Sequence, residues 1–431
     1  MHTGSHCKNK SIDLNYALNN LGLEFLSLSS GFAIREAKKI NAANLIIGFY
    51  NAIRLGRLSL LSWARELSLL ISQSVSKQAV FLRVNAAFIG LLEDLLQGAL
   101  EDKLNVRQNS LPNRFSRILL QDSTCIALPA GLRKLFPGNY SRGEIKAVAK
   151  LQVVFNLMAG AFESISLTPY NVNDQAASPG ILPLLRKGDL VIRDLGYFVL
   201  SVLGEIHKAE AFFISRYKNE VGIYDYKTGK ELSLRKLLHN RKFVKKKILL
   251  GKEKKLCMTL YAIKLTPQAT RLRRQGIRND RDRRKITTVK KLELAGWDIF
   301  VTNAEELSAE EIRLYYKMRW NMEMIFKAWK SNLNLELSIP SNLKNPFLGQ
   351  AIIYLLMLFV IIVLMPLYHM ICVSLKSFAW RISMLKLSQF AMDLFARKEW
   401  HCSLSEFENI LPLLFYETRK RKPITRLMEL T

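Results

Sequence analysis

The sequence predicts an α/β protein, a β-containing core with helical segments at both ends, and three observations carry that prediction. From residue 13 to 104 apolar residues recur at three- and four-residue spacing with few Gly or Pro inside, which is the helical pattern. From Arg117 the period shortens and β-branched residues gather in short runs. From Pro346 the spacing is helical again. A length of 431 residues allows two or three domains, and 49% hydrophobic content excludes a mostly disordered chain.

Within the first segment, Leu61 to Leu92 resembles a helix-turn-helix. An apolar helix through Trp63, Leu67 and Leu70 meets a polar break at Ser72 to Ser74, and a second helix opens at Ser76. Ser76, Lys77, Gln78, Arg83 and Asn85 would then face phosphates and base edges; the alternative is a helical bundle whose charges are solvated. After Arg117, Ile118 to Leu120 lead into Asp122 as a strand, and Lys150 to Leu157 with Phe162 to Thr168 form a hairpin closed near Ala159 and Gly160. Leu190 to Arg193 is another short strand, followed by Asp194 and a turn at Leu195 and Gly196.

Residues 199–297 form a basic block with a hairpin turn at Lys227, Thr228 and Gly229. Arg235 to Lys255 hold ten basic residues and one acidic; Arg271 to Lys285, with Arg273, Arg274 and Arg284, hold eight and two. Either cluster alone reads as a solvated face, but two in one block fit a groove that follows a phosphate backbone. Asp298 to Asn303 returns as a strand, and Ser308 with Glu311 makes a capping box for the next helix. The run Ala351 to Met365 is apolar throughout but short of the roughly 20 residues a bilayer requires, so a buried helix is expected rather than a membrane span.

The net charge of +28, from 64 Lys and Arg against 36 Asp and Glu, calls for a polyanionic partner, nucleic acid first. A ribosomal or membrane-surface partner would also suit it, so charge fixes no chemistry. Five cysteines without CxxC spacing signal neither a disulfide frame nor a zinc site, and the polar first ten residues lack a signal-peptide core. A cytoplasmic protein is expected.

The segment Tyr315 to Lys330 carries the chemistry. Wound as one helix, it places Tyr316, Arg319, Glu323 and Lys330 within an arc of roughly 60°, with Leu314, Met318, Met322, Ile325 and Trp329 opposite. An Arg319–Glu323 pair at i, i+4 would be the structural reading of that face. Asp122 and Asp194 each adjoin an apolar β run, an environment that disfavours aspartate and so asks for a role. Three converging carboxylates would repel unless a divalent ion joined them, and an all-oxygen set suits Mg²⁺ or Mn²⁺, with two ions serving an in-line phosphoryl transfer.

Tyr316, Arg319, Glu323 and Lys330 match Y-x2-R-x3-E-x6-K, and with Asp122 in QDSTC and Asp194 in RDLGYF the chain resembles the IS4 family of bacterial insertion-sequence transposases over roughly residues 115–335. The resemblance implies an RNase H-like mixed-sheet core interrupted by a β-rich insertion. With the helical patterning at both ends, the expected organisation is a helical DNA-binding domain at 1–110, core at 111–198 and 298–345, insertion at 199–297, and a helical C-terminal region with a basic tail at 346–431. The resemblance also implies Asp122, Asp194 and Glu323 as catalytic metal ligands for Mg²⁺ or Mn²⁺, and Tyr316, Arg319 and Lys330 as phosphate contacts; the helix-turn-helix pattern adds Lys77 and Arg83 as DNA contacts, and the basic cluster adds Arg273, Arg274 and Arg284. Trp297 would stabilise a flipped base, or else pack beneath its strand. Expected partners are double-stranded DNA, as terminal inverted repeats and target, and a second copy of the chain; no small-molecule substrate or membrane is expected. The other reading is a catalytically inactive DNA-binding protein derived from a transposase.

Overall fold

The computed structural model describes residues 14–33, 40–54, 58–103, 114–141, 143–253, 255–280, 288–333, 339, 345–375, 382–397 and 404–415. The expected contacts of Arg284 and the basic tail Arg419 to Lys422 lie outside these residues. Among the described residues run β1 (Ile118–Leu128), β2 (Pro137–Ser141), β3 (Glu144–Asn156), β4 (Ala161–Pro169), β5 (Leu190–Arg193), β6 (Phe212–Arg216), β7 (Ile223–Asp225), β8 (Phe243–Leu250), β9 (Leu256–Lys264) and β10 (Trp297–Thr302). The chain divides into two compact units, one of residues 1–109, 123–172 and 320–421, the other of 110–122, 173–319 and 422–431.

The second unit is a mixed sheet. The start of β1 pairs in parallel with β5, Ile118 against Leu190 through Gln121 against Arg193, and β5 pairs in parallel with β6. Parallel neighbours need a crossover, and the helix Leu200–Lys208 supplies it between β5 and β6. Strands β10, β9, β8 and β7 then continue the sheet antiparallel from β6. Apolar triplets without alternation, Ile118 to Leu120 and Leu190 to Ile192, are buried, as strands covered on both faces must be. The residues just before them form a clamp: Arg117 Nε and Nη2 donate to the Asp189 carboxylate at 2.9 and 2.6 Å, with both side chains inside the protein. The hairpin expected at Lys227 to Gly229 is present, its turn held by Asp225 Oδ1, which accepts from the Lys227 and Thr228 amides.

The first unit is mainly helical. Strands β3 and β4 form the expected hairpin, closed through Gly160 at φ +61° against the ring of Tyr368. The apolar run is a core helix: of the stretch Pro346–His369, 89% of the most apolar window is buried inside the protein. Tyr50 donates to the Leu355 carbonyl at 2.9 Å, and Tyr354 to Glu93 at 2.6 Å. The helix widens into a π-turn over Val360–Leu364, just before Pro366. Proline has no N–H to give the carbonyl four residues back and crowds it, so a local change of register relieves the conflict.

The expected helix-turn-helix segment folds as the helices Leu60–Ile71, Lys77–Arg83 and Ala86–Lys103. The second is only seven residues long, and its polar groups are partly engaged within the unit. Ser76 caps it, Asn85 accepts from the Phe88 amide, and Arg83 donates to the Ile40 carbonyl at 2.7 Å while lying over the Phe32 ring. Lys77 and Gln78 are exposed.

Candidate active site

The site in the second unit is built where β1 and β5 deliver their aspartates. Gln121 pairs with Arg193, so Asp122 and Asp194 occupy the next matched positions on neighbouring parallel strands. Asp194 follows the carboxyl end of β5, where open α/β sheets present their chemistry, and Asp122 lies within β1, just past the stretch that pairs with β5. Asp122 is nearly buried, its side chain 12% exposed, whereas Asp194 begins the turn Leu195–Tyr197 and is 46% exposed.

That turn is fixed from behind. Arg193, wholly buried, donates to the Tyr197 carbonyl at 2.9 Å and to the Ser178 hydroxyl, and the Tyr197 amide donates to the Asp194 carbonyl at 3.0 Å. Burial lowers the Arg193 guanidinium to a pKa of about 10, since it sits inside without a carboxylate.

Both aspartates meet one cation. Arg319 Nη1 donates to Asp122 Oδ2 at 2.9 Å, and its Nε lies 3.8 Å from Asp194 Oδ1. Tyr316 stands beside them, its ring tilted on Phe300 with 5.2 Å between centroids. Burial pushes the Tyr316 phenol up to about 12, with the Asp194 charge adding to it and Arg216 and Arg319 opposing, so it remains a neutral donor at any working pH.

Here the structure corrects the expected single helix. Helix Ala309–Met318 opens with the predicted capping box and ends at Met318; Arg319 is its C-cap, its amide turning back to the Tyr316 carbonyl at 3.2 Å. A new helix, Trp320–Asn332, begins after it. Arg319 keeps helical backbone angles, φ −51° and ψ −33°, and its guanidinium reaches the aspartates, Asp122 foremost. Glu323 is exposed in the first turn of the second helix and Lys330 half-buried in its last; both belong to the first unit. Met322, Ile325 and Trp329 are buried as the apolar stripe requires.

Among the described residues no group of three or more His, Cys, Asp or Glu side chains stands ready to hold a metal ion. The two converging carboxylates do offer the oxygen donors a hard dication prefers, and Arg319 neutralises them as such an ion would.

Of the other predicted contacts, Arg273 donates to Asp298 at 2.6 Å and to the Trp297 carbonyl at 3.2 Å, and Arg274 to the Leu292 carbonyl at 3.0 Å. Trp297 is half-buried, with Lys264 Nζ 6.0 Å from its ring, and it lines a cavity of about 800 Å³ together with Tyr217, Leu238 and Lys290.

Residues 113–359 match the family model described as the transposase DDE domain. The chain is 27% identical over 344 residues to the transposase for insertion sequence element IS231E of Bacillus thuringiensis subsp. finitimus, covering 74% of this chain and 72% of that protein. It is 25% identical over 293 residues to the transposase for IS1151 of Clostridium perfringens, covering 62% of each. A piggyBac transposase synaptic complex with hairpin DNA overlays with a TM-score of 0.45 at 10% identity, covering 97% of this chain and 88% of that one.

Proposed function

This chain belongs to the transposase DDE domain family and is a transposase of insertion-sequence type, and from that premise we propose that Asp122, Asp194 and Glu323 are its catalytic carboxylates. The observation that carries the reading is the meeting of Asp122 and Asp194 where the parallel pairing of β1 and β5 ends, around a shared cation. In the RNase H-like core that the family resemblance implies, these residues would hold Mg²⁺ or Mn²⁺, two ions in the full site. When bound, the metal supplies activation of the attacking oxygen and stabilisation of the leaving one.

The protein's own residues account for the rest. The Arg117–Asp189 clamp and the Arg193 anchor fix the two aspartates from opposite ends of the strand pair, so the carboxylates are aligned before substrate arrives. Arg319, a cation already beside the reacting centre, and the neutral Tyr316 hydroxyl are suited to grip the phosphate next to the scissile bond. Lys330, Lys77, Arg273 and Arg274, with the rest of the +28 surface, supply attraction for the duplex. The enzyme would act as a dimer on its element ends, in the cytoplasm.

Cleavage of DNA bearing the element ends tests this. Asp122→Ala, Asp194→Ala and Glu323→Ala should each abolish Mg²⁺-dependent strand cleavage with DNA affinity little changed, because phosphate contacts dominate affinity. Near-normal cleavage by any one variant removes that residue from the set. Binding without cleavage by the natural protein would favour the inactive DNA-binding derivative instead.

A further inference from the structure

A second cationic centre lies on the same face of the second unit. Asp298 of β10 is almost buried, its side chain 9% exposed, and three arginines converge on it from three directions. Arg273 Nη2 reaches Oδ1 at 2.6 Å from the helix Pro267–Arg278, and Arg216 Nη2, at the end of β6, lies 3.5 Å from the same oxygen. Arg313 Nη2 reaches Oδ2 at 3.2 Å from the helix Ala309–Met318.

Three guanidiniums against one carboxylate leave a net charge of +2, and their side chains are 39, 37 and 37% exposed for Arg216, Arg273 and Arg313. A simple structural ion pair would need one arginine. Three held by one buried acid, each side chain more than a third exposed, make a preorganised fork for oxyanions.

Placement identifies the ligand. Arg313 and Tyr316 lie one turn apart on the helix Ala309–Met318 that Arg319 caps, and Phe300, facing Arg216 across the strand pair, packs its ring tilted against Tyr316. At 1.5 Å per residue Arg313 lies about 9 Å along the helix from Arg319. Successive phosphates of one strand advance about 3.4 Å along the duplex axis and also turn about it, so they lie further apart in space than that rise and the interval corresponds to roughly one or two nucleotides. We propose that Arg216, Arg273 and Arg313, splayed by Asp298, form a binding site for the DNA backbone phosphate one or two nucleotides from the bond that is cut. The proposal rests on the transposase reading, with Arg319 at the scissile phosphate.

Phosphate-ethylation interference tests it, on full-length protein with duplex carrying the terminal inverted repeat that flanks the gene, in EDTA so that no cleavage occurs. Natural protein should lose binding when a phosphate one or two nucleotides from the cleavage point is ethylated. Arg313→Gln and Arg216→Gln should each erase that interference and lower the slope of log affinity against log salt by about one, while Arg313→Lys keeps most of the slope. Absence of interference at those phosphates with the natural protein overturns the proposal without any variant, as do unchanged slopes in both glutamine variants that remain folded. Failure to cleave in Mg²⁺ would instead strike the catalytic reading and leave these measurements standing.

Discussion

Removing Arg319 should make the protein's stability depend on magnesium. Its guanidinium sits 2.9 Å from Asp122 Oδ2 and 3.8 Å from Asp194 Oδ1, with exposures of 19% for Arg319, 12% for Asp122 and 46% for Asp194. At an effective dielectric constant of about 20, the gross attraction at the shorter distance is about 6 kcal/mol. The contribution from Asp194 is much smaller, since water reaches nearly half of that side chain. Breaking a mostly buried pair by deleting one partner costs about 3 to 5 kcal/mol, because the remaining charge stays desolvated. Arg319→Ala should therefore lose about 3 kcal/mol in metal-free buffer.

A dication can then take the vacated role. At a hundredfold excess over its dissociation constant, a ligand specific to the folded state returns about 2.7 kcal/mol. Urea unfolding of Arg319→Ala with and without MgCl₂, in the absence of DNA, should show most of the loss restored, whereas the natural protein should respond weakly because Arg319 competes for the same oxygens. An Asp122→Ala/Arg319→Ala double variant should lose much of the response. If Arg319→Ala unfolds like the natural protein, or if both respond equally to Mg²⁺, Arg319 does not neutralise the aspartates and the account of the site is wrong.

Three further outcomes follow from the geometry. Asp189→Asn strands Arg117 without its carboxylate at the root of β1 and β5, so it should cost about 3 to 5 kcal/mol in urea unfolding, and an unchanged midpoint would discount the clamp. Gly160→Ala would place a Cβ 2.4 Å from Tyr368 Cε1 at a backbone φ of +61°, and calorimetry should show a loss of at least about 1 to 2 kcal/mol. Tyr316 has a folded pKa of about 12 against 10.0 for the free group, so its contribution is intact below pH 10 and lost as pH climbs through 12; Tyr316→Phe should be less alkali-sensitive there by about 2 kcal/mol, and parallel stability curves would contradict this.

Much of the core was legible because its signals are local. Arg117-Ile-Leu-Leu-Gln-Asp122 and Asp189-Leu-Val-Ile-Arg-Asp194 share one layout: a charge, three apolar residues, a polar residue and an aspartate. The leading charges are opposite, and the parallel register sets them side by side together with the two aspartates. The strands and the aspartates were read from the sequence, but the pairing was not, although the opposite charges at equal offsets were available to signal it. The hairpin at Gly160 and the cap at Ser308 were readable for the same local reason. Asp298 shows the limit: its three partners come from β6 and two separate helices, and no spacing rule joins residues 216, 273, 298 and 313. The block expected as an insertion from residue 199 also supplies β6 to the parallel part of the sheet, a placement decided by strand pairing rather than by composition.

The break at Arg319 was the least legible feature and bears most on function. Nothing between Tyr315 and Lys330 warns of it, for the stretch contains neither Gly nor Pro and its periodicity runs through unbroken. What competes with the helix is tertiary: Arg319 can satisfy two carboxylates delivered by β1 and β5, and its backbone closes the first helix with a tighter turn, amide to the Tyr316 carbonyl. Giving up a regular helical hydrogen bond costs only about 0.5 to 1.5 kcal/mol, less than the several kcal/mol at stake in a nearly buried carboxylate without a counter-charge. The i, i+4 pair with Glu323 that the sequence offers would contribute only about 0.2 to 0.5 kcal/mol, far less than a nearly buried carboxylate gains from its counter-charge. If that balance governs the local fold, Asp122→Asn should weaken the hold on Arg319 and let the helix run through it. Amide exchange at Arg319 and Trp320 would report the change, slowing in Asp122→Asn as their amides enter regular helical bonds; exchange that stays the same would place the cause of the break elsewhere.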